Sequence, residues 1–200
     1  HIMLYGSNGQ ILEQSKGNES CDLIYEKAYP EGAYFVIESK SKYLKIDLDE
    51  YIYPSIVYIP EGKMVYKIPS EDKLMAYHPK AFKGDYHHIH ILTVGEEELR
   101  QRRNLALNSY DIRGAKGYYP HSDANVVTRD EAVFESRNAI DGYLDNQGHG
   151  NFPFQSWGGG LRDDLEFVLY FGRPVVVDEI IITLRADYEG DHDIHWQSAN

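Results

Sequence analysis

The chain has 200 residues, 42% hydrophobic and 26% charged, which is enough apolar material for an ordinary folded core in one or two domains. Its net charge of −12 argues against nucleic acid, whose binding draws on basic patches. No run of about 18 apolar residues is present, so no segment reads as a membrane span, and a single cysteine, Cys21, leaves no intrachain disulfide framework.

At the start, residues 1–3 read as a cloning scar and are set aside from the fold. No signal-peptide pattern follows in residues 4–10, which leaves localisation open with the cytoplasm slightly favoured. Short β-rich runs then alternate with turn chemistry. Residues 32–37, 43–48, 55–59, 64–68 and 87–94 are the expected strands, and their spacing favours a small antiparallel sandwich or barrel over residues 4–94. Pro60-Glu61-Gly62 is an expected turn, because proline presets φ and glycine accepts a positive φ. His88 and His90 fall on one face of their strand.

Residues 95–103 (Gly95 to Arg103) read as a short helix linking two units, with acids in its first turn, bases in its last and Thr93 as N-cap. Composition changes here. The ten lysines before Leu99 meet no arginine, whereas nine arginines and one lysine follow. Residues 104–200 form the expected second unit. Residues 131–140 suggest a short helix or turn, and residues 164–171 and 175–184 are strands around a Gly172-Arg173-Pro174 turn. Three long loops remain, over residues 111–130, 143–160 and 185–196, and loops of that length in a compact domain are usually functional or disordered.

Five pieces occur in a fixed order in this half. They are Asn104-Leu105-Ala106, Ala139-Ile140-Asp141-Gly142, Trp157, Leu169-Tyr170-Phe171-Gly172 and Val177-Asp178-Glu179-Ile180. The order resembles the discoidin-like (F5/8 type C, galactose-binding-like) jelly roll of many carbohydrate-binding modules, over residues 103–200 only. The resemblance implies an all-β protein whose second unit gathers its loops at one end and binds a sugar without catalysis. It also implies further strands beyond Val-x-x-Ile, so the chain is expected to be a fragment. A homo-oligomer or a complementing C-terminal fragment would then supply the missing strands.

The loops hold residues suited to sugar. Planar donors and acceptors read hydroxyls, and aromatic rings cover the apolar face of a pyranose. The expected sugar site is His121, Arg129, His149, Arg185, Asp187, His192 and Trp196, with Phe152, Phe154 and Trp157 also suited to stacking. Trp157 is equally placed to pack beneath the sheets. A structural calcium at Asn138, Asp141 and Asp145 is implied by the resemblance, the alternative being an Asx turn at Asp141. Asp191, His192, Asp193 and His195 supply transition-metal ligand types without a recognised spacing. They underlie a different-class alternative, a metal-dependent enzyme on a small sugar or related metabolite. Glu131 and Asp187 are its acid/base candidates. A protein-interaction scaffold is the third reading.

Overall fold

The structure, a computed structural model, describes residues 1–144, 148 and 150–185. Its strands are β1 (Ile2–Tyr5), β2 (Ile11–Ser15), β3 (Ser20–Tyr25), β4 (Tyr34–Glu38), β5 (Tyr43–Asp47), β6 (Ser55–Tyr58), β7 (Lys63–Lys67), β8 (His87–Thr93), β9 (His121–Ala124) and β10 (Phe167–Tyr170). The helix α1 (Glu96–Arg100) and four 3-10 turns complete the regular structure among the described residues. Two four-stranded sheets have the orders β2-β1-β4-β7 and β3-β8-β5-β6, and β9 pairs with β10. Every pairing is antiparallel. The chain is all-β, as expected.

Side chains on a strand alternate between faces, and that period sets which residues go inside. In β3, Cys21, Leu23 and Tyr25 are buried while Ser20, Asp22 and Ile24 face out. In β7, Met64 and Tyr66 are buried between exposed Lys63, Val65 and Lys67. Ile2, Leu4, Phe35, Ile37, Met64 and Tyr66 from one sheet join Leu23, Leu44, Ile46, Val57 and Ile89 from the other in a single buried cluster. The turn at Gly62 forms as read from the sequence. Its φ is +67°, its N–H donates to Ile59 O, and a Cβ there would meet Ser39 O at 2.5 Å.

Three expectations need correction. Residues 1–3 belong to the fold. Ile2 is fully buried and pairs with Ser15 on one side and Ile37 on the other, so β1 lies inside its sheet. Second, α1 is only five residues long and starts after Gly95. Thr93 is the last residue of β8, where its N–H donates to Glu19 O. The sheet outcompeted the cap. Third, residues 175–184 form no strand, and Val176 (93%), Ile180 (81%) and Ile181 (77%) are exposed. Apolar, β-branched residues favour a pleated, half-buried surface, but a strand also needs a ladder partner. None pairs with them among the described residues.

The segment following α1 is stitched to the first sheets. Tyr58 and Tyr119 exchange backbone hydrogen bonds at 2.8 and 2.9 Å. Leu48 N–H donates to Tyr110 Oη at 2.9 Å, and Ser109 N–H to Ser55 Oγ at 2.9 Å. Tyr110 and Tyr118 are fully buried and enter the same cluster, as do Ala132, Val133 and Phe134. This stitching brings residues 137–143 against the loop after β5.

Candidate functional site

Two short turns of the same chemistry build the site. Asp49 Oδ1 accepts the Tyr51 N–H at 2.9 Å, and its Oδ2 accepts the Phe82 N–H at 2.6 Å. Asp141 Oδ1 accepts the Tyr143 N–H at 2.9 Å, and its Oδ2 accepts Gln155 Nε2–H at 2.8 Å. Each aspartate closes an Asx turn and fixes a tyrosine two residues on. A third attachment, Phe152 N–H to Met75 O at 2.8 Å, brings Phe152 alongside.

The rings these turns present form a continuous series. Tyr51 stacks on His78 at 4.8 Å, His78 meets Phe152 edge-on at 5.4 Å, and Phe152 meets Tyr143 edge-on at 4.8 Å. Tyr53 lies 5.1 Å from Tyr143, and Lys80 Nζ sits 5.7 Å from the Tyr51 ring centre. Tyr51, His78, Tyr143 and Phe152 line a shallow depression together with Ser109 and Asp141. Tyr51 (38% exposed) and Tyr53 (54%) keep ring surface open to solvent. Burial pushes the Tyr143 phenol up to about 12, so it stays neutral and can both donate and accept.

A buried cation supports this floor. Arg137 donates to Asp111 O at 2.7 Å, Ser109 O at 2.9 Å and Asn138 Oδ1 at 2.9 Å, and its guanidinium lies 4.3 Å from the Tyr77 ring centre. Burial works against its charge, but Tyr77 and Asp141 outweigh it and its pKa is raised. For Asp141, burial wins over the attraction of Arg137, and its pKa rises from the ordinary carboxylate value.

The residues expected at the sugar site have separate surroundings. On β9, His121 Nδ1 lies 2.6 Å from Asp111 Oδ1, and the Asp111 hydrogen bond holds the imidazole above its usual pKa. Ser122 donates from both N and Oγ to Asp111 Oδ2, at 2.9 and 2.8 Å. Serine and histidine are thus parallel partners of one carboxylate, not a nucleophilic relay. Arg129 is paired with Glu131 at 2.6 and 2.8 Å and lies over Phe134. Arg185 bonds Ser156 Oγ, Phe154 O and Gly148 O, so it ties these three residues together. His149, Asp187, His192 and Trp196 lie outside the described residues, as does Asp145.

At the expected calcium position, Asn138 Nδ2 donates to Ala132 O at 2.9 Å and its Oδ1 accepts from Arg137. Both Asp141 oxygens also have protein donors, which is the Asx-turn arrangement. Among the described residues, no three His, Cys, Asp or Glu side chains are grouped to hold a metal. His88 and His90 share a face, as expected, and both contact Asp22 Oδ1, at 2.8 and 2.9 Å. Trp157 donates to Val126 O at 2.9 Å and packs on Phe167, a packing role.

Of the aromatic series, sequence reasoning named only Phe152 as a stacking residue. A signal for the others was present, since Asp49-Glu50-Tyr51 and Asp141-Gly142-Tyr143 share one Asp-x-Tyr spacing. No family model, curated protein or solved structure matches the chain.

Proposed function

We propose that this chain is a non-catalytic carbohydrate-binding protein whose sugar-contacting surface is the aromatic depression of Tyr51, His78, Tyr143 and Phe152, with Tyr53 beside Tyr143. The observation that carries this reading is the unbroken ring series bordered by polar groups. Ring faces take the C–H surface of a pyranose, while the phenols, the His78 imidazole and the Lys80 ammonium reach its hydroxyls. The jelly-roll reading of residues 104–200 is part of the same proposal and rests on the order of its sequence motifs. A glycan array probed with the full chain tests it. Saturable binding to at least one saccharide is expected, and Tyr51→Ala and Phe152→Ala should each weaken it roughly tenfold, the loss of a ring face at about 25 cal/mol per Å². An array blank for the folded protein overturns it.

A second reading, protein interaction, is favoured by one observation. Val176, Val177, Ile180, Ile181, Ile182 and Leu184 are all exposed in one segment. Apolar surface gathered this way marks a contact face. A second copy or a complementing fragment pairing along residues 175–184 would cover it. Light scattering should then report self-association or capture of such a fragment, and Ile181→Lys should abolish it.

A further inference from the structure

Seven of the nine arginines are compensated. Arg100 pairs with Glu96, Arg102 with Asp178 and Glu179, Arg113 with Asp130, Arg129 with Glu131 and Arg162 with Asp164. Arg137 and Arg185 are held by backbone carbonyls and side-chain oxygens. Arg103 and Arg173 differ. Neither has a carboxylate within 4 Å among the described residues, although the chain holds 32 acids against 20 bases. The neighbouring acids are engaged elsewhere, Glu98 with Lys45 and Asp178 and Glu179 with Arg102.

These two arginines line one depression with Tyr43 of β5, Tyr58 of β6, Tyr119 and Phe171. The Arg173 guanidinium lies 5.4 Å from the Tyr43 ring centre and 5.7 Å from that of Tyr58, whose rings are themselves 5.0 Å apart. Arg173 Nη1 donates a long hydrogen bond, 3.3 Å, to Pro174 O. Both Nε atoms are shielded from solvent and have no hydrogen-bond partner among the described residues. The Arg103 pKa is depressed, by burial first and by the charge of Arg173 second. Glu98 acts on Arg103 only from a distance, and two like charges brought together, partly desolvated and with no carboxylate in contact, cost stability unless something neutralises them. A guanidinium fork fits an oxyanion in two-point contact, and the surrounding phenols add neutral donors.

We propose that the depression between Tyr43, Tyr58 and the 171–173 turn is an oxyanion-binding site, with Arg103 and Arg173 as its paired cations. Its ligand carries a carboxylate or a phosphate, and the tyrosine and phenylalanine rings accommodate the body attached to it. The site is separate from the proposed sugar surface and stands or falls independently of it.

Thermal unfolding of the full chain tests this, with sodium phosphate or sodium benzoate titrated against sodium chloride at matched ionic strength. A saturable rise in Tm beyond chloride is expected. A rise with phosphate alone identifies a tetrahedral oxyanion, and a rise with benzoate identifies a carboxylate on an organic body. Arg173→Gln should weaken the apparent affinity by roughly tenfold or more through loss of a charge-assisted pair, whereas Arg162→Gln, with the same charge change, should leave it intact. No rise beyond chloride, or an equal rise in Arg173→Gln, overturns the proposal. Should that variant fail to fold, arginine Nε–H resonances of the unaltered protein provide the readout. Selective shifts of Arg103 and Arg173 with phosphate or benzoate support the site, and unmoved resonances overturn it.

Discussion

Arg137 shows how single residues set the character of this molecule. It is 3% exposed, spends its donors on two carbonyls and one amide oxygen, and lies over Tyr77. Replacing it with methionine would leave Asp141 and three acceptors uncompensated in a buried setting. Arg137→Met should therefore destabilise by about 3–5 kcal/mol in urea unfolding. A loss below about 1 kcal/mol would mean that the guanidinium is dispensable.

Two histidines give opposite pH signatures. His121 is raised above its ordinary value of 6.5, chiefly by its hydrogen bond to Asp111. Its contribution is fully present below the unfolded pKa and is lost as pH rises through the folded one. His87 is lowered by burial and stacks on Tyr29 at 3.9 Å. Its contribution is present above the unfolded value and is lost as pH falls through it towards the folded pKa. Across about pH 5 to 9, the Tm advantage of the unaltered protein over His121→Asn should shrink with rising pH. Against His87→Phe, the relative Tm of the unaltered protein should instead rise over the same range. Parallel profiles for both variants would contradict these assignments.

At the scale of elements, β1 carries more than its four residues suggest. It pairs on both edges, and Ile2 and Leu4 are fully buried. Ile2→Ala should cost about 2–5 kcal/mol, as for other large-to-small changes in a core, and chemical denaturation would measure it. Five of the eight strands in the first two sheets were legible in the sequence, because 32–37, 43–48, 55–59, 64–68 and 87–94 combine β-branched or aromatic content with flanking turns. Ile2–Tyr5 was missed because residues 1–3 read as a cloning scar, and Ile11–Ser15 and Ser20–Tyr25 are interrupted by polar residues on their outward faces. Residues 175–184 illustrate the opposite failure. Local propensity proposes a strand, but only a partner can complete one.

On the whole-molecule scale, the candidate site joins segments distant in sequence. Tyr51 and Tyr53 follow β5, His78 follows a 3-10 turn, and Tyr143 and Phe152 come from the second half. What joins them is the stitching of Ser109, Tyr110 and Tyr119 to the first sheets, which no local pattern announces. The loop histidines and arginines were visible as residue types, yet their partners were not. His121 belongs to Asp111, Arg129 to Glu131 and Arg185 to the carbonyls of Gly148 and Phe154.

The most direct test of a carbohydrate-binding aromatic surface follows ring resonances while a saccharide selected on the array is titrated into the full chain. The account predicts saturable shifts of the Tyr51, Tyr143 and Phe152 rings at one common affinity, with the Tyr66 ring in the core unmoved. Binding that leaves those three rings unperturbed, or the absence of any bound saccharide, would contradict it.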